Sequence, residues 1–370
     1  MTDDARHVYR SRPPVALRPA LAVARHFTDA AHRASQKPFD ASLDLLPHTE
    51  LSGRFGWSHY GLMLPSLPDP HRYLSLMVMA GMTGLRAFDF PEEATSDDPQ
   101  DIIVASASSG ADSAYTREVL SIRREGRFAP DRAEFGSLAS ITGTHPEFDI
   151  RIHAGDLDAT LTMTCRPNPT WFVKSPVWHH IGHVGRYRGE VTHRGVTTEI
   201  SGVGNLEYAR SISPYVALRR ATHRQIPLEW FSYHVVDLPG ERQILFTQLG
   251  VAGSIVETNV IRRSLDGTAD HKVHEGYHRI LETDDTPAVD THGSERFLPR
   301  VFEFGCDGVS VVGTYDCPQR FAIGRGHISG YEARVRIDGE EFTTRGYSEH
   351  IDERPQRHRT VPGAATTGTP

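Results

Sequence analysis

The chain has little of what marks disulfide scaffolds, membrane proteins or nucleic-acid-binding proteins. Its 370 residues include three cysteines, Cys165, Cys306 and Cys317, and no C-x-x-C pair. Cys306 and Cys317 could pair, but reduced thiols inside a cell are the expectation. Lysine and arginine total 40 against 47 aspartates and glutamates, and the net charge of −7 argues against nucleic acid as a partner. The N-terminus lacks the apolar core of a signal peptide, and the longest apolar stretch, around residues 73–85, is short and broken by glycine. The sequence therefore predicts no transmembrane segment and a cytoplasmic location.

Motifs of the large cofactor-dependent and nucleophilic enzyme classes are also missing. There is no Walker loop and no G-x-G-x-x-G between a strand and a helix. The glycines of Gly202–Leu206 lie between two strand-like runs, which does not suit a dinucleotide site, and no G-x-S-x-G nucleophile elbow occurs. Hydride transfer and nucleophilic catalysis have little support, and we expect no cofactor.

A glycine-and-carboxylate pattern is present twice, in Gly189–Arg210 and in Gly330–Arg354. Each copy has two strand-like runs around a glycine turn and ends in Gly-x-x-Glu followed by a ring residue. These closing residues are Gly204, Glu207 and Tyr208 in the first copy and Gly346, Glu349 and His350 in the second. A repeat of this kind indicates one structural unit used twice.

The spacing of apolar residues predicts one helix followed by many short strands. Leu17, Ala20, Ala24, Phe27 and Ala31 recur at intervals of three and four, which predicts an amphipathic helix near the N-terminus. After residue 50, short alternating runs are separated by turn residues, as expected of antiparallel strands. The sequence therefore predicts a mainly β fold with two antiparallel barrels in tandem and an N-terminal helix.

The two copies of the pattern divide the chain. We expect a tail and helix over 1–48, a first barrel over 49–212, a second barrel over 213–353 and a disordered tail over 354–370. In each barrel the repeat would close the sheet, because closure removes edge strands.

Three segments resemble a known superfamily, namely LDATLTMTCRPNPTWF, WHHIGHVGRYRGEVTHRGVTTEISGVGNLEYAR and PLEWFSYHVVDLPGERQILF. They are similar to the tandem lipocalin-like (calycin) barrels of the carotenoid 1,2-hydratase and AttH-like superfamily, whose architecture is shared by fungal pericyclases of the Diels–Alder type. Where that superfamily often closes the strand with Asp-His-Glu/Gln-Trp, this chain has Asn205 to Tyr208, which keeps the glutamate and a ring. The resemblance covers about residues 157–246, with a weaker echo at 324–354.

The resemblance implies a protein that handles a hydrophobic small molecule such as a terpenoid, steroid or polyketide. If the chain is an enzyme, we expect a cofactor-free lyase (hydratase) or an isomerase or cyclase. The alternatives are a non-catalytic carrier or sensor with the same cavity, and an interaction module whose barrels are filled. The sequence leaves the oligomeric state open.

Glu207 is the candidate acid, because burial in an apolar barrel raises the pKa of a carboxyl and makes it a proton donor near neutral pH. The competing interpretation is structural: Glu207 and Glu349 would each pair with a nearby arginine, Arg210 or Arg354, at a barrel closure. Since both halves carry the glutamate, this second interpretation is favoured. Glu349 would then serve as an internal control for Glu207.

Histidines and aromatic residues supply the remaining candidates. His180 and His234 are expected to hydrogen-bond to the ligand, and the expected ligand walls are Trp178, Tyr208, Trp230 and Tyr233. Strand alternation places Trp178 and His180 on one face, with His179 and His183 on the other. His179 and His183 have a metal-ligand spacing on a helix, but their surroundings are not helical, so no metal is expected.

Overall fold

The computed structural model describes residues 18–39, 45–51, 53–89, 93, 94, 96–218, 225, 228–251, 253–267, 270–290, 293–322 and 324–353. The predicted disordered tail at 354–370 lies outside the described residues, as do residues 1–17. Within the described part the chain is mostly β, with two large antiparallel sheets that curl on themselves, one into a nearly closed barrel and the other into a half-barrel. The predicted fold class is therefore confirmed.

The first sheet contains twelve antiparallel strands. They are β1 (Trp57–Leu64), β2 (Leu74–Ala80), β3 (Ile103–Ser109), β4 (Tyr115–Leu120), β5 (Gly126–Ala129), β6 (Arg132–Phe135), β7 (Ala139–Thr144), β8 (Glu147–Ala154), β9 (Leu157–Cys165), β10 (Thr170–Lys174), β11 (Trp178–His193) and β12 (Val196–Ser211). Their order is β4-β3-β2-β1-β12-β11-β9-β8-β7-β6-β5, and β10 pairs with β11. The long hairpin of β11 and β12 carries the first copy of the repeat.

The second sheet and one small hairpin contain the remaining strands. They are β13 (Leu228–Leu238), β14 (Arg242–Val251), β15 (Ser254–Ser264), β16 (His271–Val273), β17 (Tyr277–Thr283), β18 (Ala288–Val289), β19 (Glu295–Arg296), β20 (Pro299–Cys306), β21 (Val309–Tyr315), β22 (Arg320–Phe321), β23 (His327–Ile337) and β24 (Glu340–Asp352). The order is β16-β15-β14-β13-β24-β23-β21-β20-β17, with β22 beside β23 and the hairpin formed by β18 and β19. The second copy of the repeat is the hairpin of β23 and β24, which occupies the place that β11 and β12 have in the first sheet.

Helices contribute little. They are α1 (Arg18–Ser35), α2 (Ile122–Glu125) and α3 (Tyr215–Leu218), with a 3-10 turn at His48–Glu50. In α1 the buried positions Thr28, Ala31 and Ser35 recur at helical spacing. The helix lies against β10, where the Ser35 hydroxyl accepts a hydrogen bond of 2.8 Å from the backbone N–H of Trp171. No described helix is long and apolar enough to cross a membrane.

Apolar side chains form three main clusters, because successive residues of a strand point to opposite faces of a sheet. One cluster fills the lumen of the first barrel, with Tyr60, Leu206 and Tyr208 among its members. A second fills the lumen of the second barrel, around Phe246 and Phe302. The third lies between the two sheets and is fed by the outward-facing residues of both. We call this third region the inter-barrel face; its apolar members include Met77, Met79, Phe172, Tyr233 and Tyr347.

A buried ion pair joins the halves beside this face. The Arg166 guanidinium, in the loop after β9, bonds the carboxylate of Asp270, and both side chains are almost fully buried. Thr170 donates a second hydrogen bond of 2.7 Å to the same carboxylate. A buried pair of this kind favours the packing of the two sheets against each other, since moving its partners apart would leave a desolvated charge.

Candidate active site between the two barrels

Glu207 points away from the lumen of the first barrel and into the inter-barrel face. Its neighbours Leu206 and Tyr208 belong to the lumen cluster, whereas Ala209 belongs to the cluster between the sheets. The alternation of strand β12 therefore turns Glu207 toward the second sheet. The residue is only 3% exposed.

Three donors hold the Glu207 carboxylate. Tyr233, from strand β13 of the second sheet, donates its hydroxyl to Oε1 at 2.6 Å, and Asn205 donates its amide N–H to the same oxygen at 2.6 Å. The Nε2–H of His180 on strand β11 donates to Oε2 at 2.9 Å. Burial pushes the pKa of Glu207 up, but the hydrogen bond from His180 and the adjacent imidazoles outweigh it and leave this pKa below its usual value. The carboxylate is therefore ionised at neutral pH.

A buried polar chain fixes the orientation of these donors. The Arg263 guanidinium donates to the Asn205 carbonyl oxygen at 3.0 Å, so the amide nitrogen of Asn205 must face Glu207 and Tyr233. Arg263 also donates to the Gln243 carbonyl oxygen at 2.8 Å and 3.1 Å. Each polar group of the chain thus has a partner, which makes the site rigid before any ligand arrives.

Glu349 lies on the same face. Strand β24 pairs with β13 so that Glu349 stands directly opposite Tyr233, and it is 8% exposed. Its one hydrogen-bond donor among the described residues is the Tyr347 hydroxyl, at 3.3 Å. Burial, and then the negative charge of Glu207, raise the pKa of Glu349 well above its usual value. The two carboxyls of the inter-barrel face therefore differ: burial favours the protonated form of Glu349, whereas Glu207 is ionised. Such a difference is typical of acid–base sites.

His59 on strand β1 flanks the carboxylate from the other side. Its Nδ1–H donates to the backbone carbonyl of Val78 at 3.0 Å, which leaves a lone pair on Nε2. That Nε2 atom lies 3.9 Å from Oε2 of Glu207. Burial lowers the pKa of His59 to about 4 even though the Glu207 charge opposes the shift, so the ring is neutral and the contact is no ion pair.

His180 is the member of the site that reaches solvent. Its side chain is 23% exposed, whereas that of Glu207 is 2% exposed. The ring packs against Phe172 at 4.5 Å between centroids, and Trp178 and Phe231 are half-buried against the same apolar cluster. An apolar rim with an imidazole at its edge and an ionised carboxylate behind it is an arrangement suited to moving a proton to or from a hydrophobic molecule.

The structure brings together four of the residues singled out from the sequence and leaves three elsewhere. Glu207, His180, Tyr233 and Trp178 meet at the inter-barrel face. His234 and Trp230 face the lumen of the second barrel, since they alternate with Tyr233 along β13; His234 lies 4.6 Å from Phe304 and Trp230 lies 4.6 Å from His350, between ring centroids. Tyr208 lies in the first lumen and donates its hydroxyl to Leu46 at 2.7 Å.

The structural alternative for Glu207 does not match its contacts. Arg210 instead donates to Nδ1 of His179 at 3.1 and 3.2 Å and lies over the Phe55 ring. Arg354 lies outside the described residues. Glu207 and Glu349 share one face, so Glu349 cannot act as an independent control. Among the described residues, no group of three or more His, Cys, Asp and Glu side chains is arranged to hold a metal ion.

Asn205 and His59 are not among the predicted site residues, and the meeting of the two glutamates is not predicted either. Asn205 precedes Glu207 by two residues, so strand alternation alone puts both on one face. The repeat itself indicates that the two glutamates are placed equivalently. Strand β1 pairs with β12, which carries Glu207, and strand β13 pairs with β24, which carries Glu349. Nothing in the sequence indicates that the two sheets pack through these faces.

Comparisons with known proteins confirm the fold. A family model described as "Family of unknown function (DUF6670)" matches residues 77–361. Among solved structures, a protein from Nitrosomonas europaea designated AttH has 12% identity and a TM-score of 0.58, with 84% of this chain and 96% of that chain covered. Kievitone hydratase from Nectria haematococca has 9% identity and a TM-score of 0.53, with 85% and 93% covered. CghA with Sch210972 has 9% identity and a TM-score of 0.50, with 86% and 97% covered. No curated protein matches the sequence significantly. The resemblance to AttH-like and Diels–Alderase-type proteins therefore holds at the level of the fold.

Proposed function

Because the chain belongs to the family of unknown function DUF6670, whose description assigns no activity, we propose its function from the site itself. The chain converts a hydrophobic small molecule by acid–base chemistry at the inter-barrel face. His180 transfers a proton at the edge of the site. Glu207 orients the His180 ring and stabilises its protonated form. Glu349 is the protonated carboxyl behind them. Hydration, isomerisation and cyclisation exchange no electron or hydride with another molecule, so the proposed chemistry needs no cofactor.

One observation carries the proposal: an ionised, buried carboxylate is held by three donors next to a part-exposed imidazole. The His180 Nε2–H must donate to Glu207, because an ionised carboxylate only accepts. This hydrogen bond fixes the tautomer of His180, so Nδ1 carries the lone pair and is the basic atom of the ring. A carboxylate that orients an imidazole and stabilises its protonated form is a recurring device of general acid–base catalysis, which contributes about 10²–10⁴-fold to rates.

Tyr233 and Asn205 support the ionised state of Glu207. Together they place two hydrogen bonds of 2.6 Å on one oxygen, which keeps the negative charge in a desolvated place. Burial raises the pKa of Tyr233 well above 10, so its hydroxyl keeps its proton at neutral pH and acts as a donor. The base is thus preorganised, and the substrate needs only to be placed against His180.

Hydration is the reaction best matched by the acceptor atoms of the site. His59 Nε2 and Glu207 Oε2 are both acceptors and lie 3.9 Å apart. One water with hydrogen bonds of about 2.8 Å can donate to both. With both of its hydrogens donated to these acceptors, the water directs its lone pairs away from them, toward an alkene or enone carbon of the bound substrate. The proton added to the neighbouring carbon comes from Glu349, and the proton lost by the water goes to Glu207. A later proton transfer from Glu207 to Glu349 returns both carboxyls to their starting states.

The substrate class follows from the walls. Met77, Met79 and Phe172 line the inter-barrel face, and thioether and aromatic surfaces adapt to apolar ligands of irregular shape. Two proteins of the same fold are associated with small molecules. One is a kievitone hydratase, and the other, CghA, has a structure with Sch210972. We propose a neutral, unsaturated terpenoid, steroid or polyketide as the substrate, and hydration ahead of isomerisation or cyclisation.

Isotope incorporation from solvent tests this function. The chain is incubated with a panel of unsaturated terpenoids, steroids and polyketides in ¹⁸O-labelled water and, separately, in D₂O. The masses of the products are then measured by mass spectrometry. Hydration gives a product with one solvent oxygen, whereas isomerisation gives at most deuterium. For any converted substrate, Glu207→Gln is expected to lower kcat by about 10²–10⁴-fold.

The matched control is Glu199→Gln, an exposed carboxylate on the same strand β12, which is expected to keep the wild-type rate. His180→Gln is expected to lose activity with little loss of thermal stability. Turnover by Glu207→Gln or His180→Gln at the wild-type rate would refute the proposed roles.

A further inference from the structure

The lumen of the first barrel contains a cavity that the proposed reaction does not use. Its volume is about 240 Å³. The walls are mainly apolar and include Phe39, Ile141, Phe148, Ile181, Leu206 and Tyr208, with His145 and His183 as the imidazoles. An interior that is otherwise densely packed retains a space of this size only where the surrounding side chains do not close it.

Strand β12 separates this cavity from the inter-barrel face. Leu206 and Tyr208 border the cavity with their side chains, whereas the Glu207 side chain between them is bonded to Tyr233 and His180 on the opposite face. Glu207 is among the residues at the cavity wall, but both oxygens of its carboxylate are bonded to groups of the inter-barrel face. The two regions are therefore distinct.

His183 gives the cavity one polar feature. The residue is 5% exposed, its ring packs edge-on against Phe39 at 4.7 Å between centroids, and it lies 5.0 Å from the ring of His145. Its Nδ1 atom is buried and makes no hydrogen bond with any described residue. Burial first, and then the nearby His145 and Arg166, lower the pKa of His183 to about 3, so the ring is neutral at physiological pH. An unpaired buried polar atom is costly, and a bound hydroxyl would relieve that cost.

The second barrel provides a comparison within the same chain. Its lumen is packed with rings: Phe302 and His278 stack at 5.8 Å, and Phe246 and Phe304 lie 4.7 Å apart, between centroids. The related lumen of the first barrel contains rings as well, with Phe39, Phe148 and Tyr208 among the cavity walls, but it keeps its cavity. The difference lies in the side chains, since both sheets curl around their lumen.

We propose that the lumen of the first barrel is a second binding site, separate from the inter-barrel face, for a neutral apolar molecule of about two fused rings with one hydroxyl. The size follows from volume, because an apolar cavity of about 150 Å³ holds one benzene. The hydroxyl follows from the free nitrogen of His183. A charged ligand is excluded, since a neutral imidazole and apolar walls offer no counter-charge.

Calorimetric titration with naphthalene, 1-naphthol and 1-naphthoate tests the site on the full chain. Both neutral compounds are expected to bind, with 1-naphthol about fivefold tighter because of one extra hydrogen bond. 1-Naphthoate is expected not to bind. Ile141→Phe fills the cavity and is expected to lose both neutral ligands, whereas Ile200→Phe, in the same lumen but away from the cavity, is expected to keep them.

His183→Leu isolates the polar contact, and it decides the question if Ile141→Phe does not fold. This variant is expected to bind naphthalene as before and to lose the preference for 1-naphthol. Glu207→Gln is expected to bind both compounds like the wild-type chain, which distinguishes this site from the inter-barrel face. The proposal fails if the wild-type chain binds neither compound, if a folded Ile141→Phe binds them normally, if His183→Leu keeps the preference, or if Glu207→Gln abolishes binding.

Discussion

Replacing Glu349 by glutamine tests whether the inter-barrel face holds a protonated carboxyl. Glutamine has the shape of the protonated acid, is neutral at every pH, and can still accept the hydrogen bond from Tyr347. The substitution therefore removes the titration of this side chain and little else. The wild-type and variant chains should differ in how their stability depends on pH, more than in stability at any one pH.

The sign follows from linkage. Burial and the Glu207 charge raise the pKa of Glu349 in the folded chain well above 4.5, its usual value. Between 4.5 and the folded pKa, the unfolded chain loses this proton while the folded chain keeps it. The stabilising contribution is therefore complete below pH 4.5 and is lost as pH rises, by about 1.4 kcal/mol for each pH unit. Over the pH range above 4.5 in which the folded chain keeps this proton, the wild-type chain should lose unfolding free energy relative to Glu349→Gln.

Chemical denaturation at closely spaced pH values, followed by tryptophan fluorescence, measures this difference. Glu340→Gln, exposed on the same strand β24, should run parallel to the wild-type chain. In the background of Glu207→Gln the effect of Glu349→Gln should span a narrower pH range, because the charge that helps to raise the pKa of Glu349 is gone. Equal pH slopes for the wild-type chain and Glu349→Gln would mean that Glu349 is ionised, and the proton-bearing role proposed for it would be wrong.

Three further predictions concern the scaffold. Gly346→Ala would place a Cβ 2.3 Å from the Tyr331 ring and should lower the unfolding free energy by about 1–3 kcal/mol in denaturant titration, whereas Gly339→Ala, whose Cβ meets open space but whose φ is +86°, tests strain alone. Asp270→Ala leaves Arg166 buried without its carboxylate and should lower the unfolding free energy by about 3–5 kcal/mol, and a small loss would contradict the burial of this pair. Burial lowers the pKa of His327 to about 3, so its contribution to stability is complete above pH 6.5 and is lost as pH falls below that value. His327→Leu should therefore remove about 1.4 kcal/mol of acid destabilisation for each pH unit between pH 6.5 and 5. An unchanged dependence of the unfolding free energy on pH in this range would contradict the burial of a neutral ring.

Local sequence patterns predicted the faces of individual strands well. The alternation in β11 placed Trp178 and His180 on one side and His183 on the other, and the structure has His180 at the inter-barrel face and His183 in the lumen. The same rule, applied to β12, separates Glu207 from Tyr208. The prediction of Glu207 as the acid and Tyr208 as a ligand wall of a single site is at odds with strand periodicity, which puts the two residues on opposite faces.

Contacts between the sheets could not be predicted in the same way. Periodicity states which residues share a face, but it does not state which face meets the other sheet. His234 and Tyr233 are adjacent aromatic residues in β13 and looked equivalent; packing sends Tyr233 to Glu207 and His234 to a stack of rings in the second lumen. His278 illustrates the same limit, because its ring stacks on Phe302 inside the second barrel although the neighbouring residues Glu275 and Arg279 are charged.

The repeat explains why two glutamates meet, and the residues around them explain why they differ. Each copy places its glutamate on the outer face of a strand that pairs with the first strand of its own sheet. When the two sheets pack through these outer faces, the equivalent carboxyls come close together, and two adjacent carboxyls do not both ionise in a desolvated place. The residue two positions earlier then sets the difference: Asn205 donates to Glu207 at 2.6 Å, whereas Tyr347 donates to Glu349 at 3.3 Å. His180 adds its N–H to the first copy only, and no described imidazole donates to the second. Duplication thus supplies a symmetric pair of acids, and a few neighbouring side chains turn it into a base with an acid beside it.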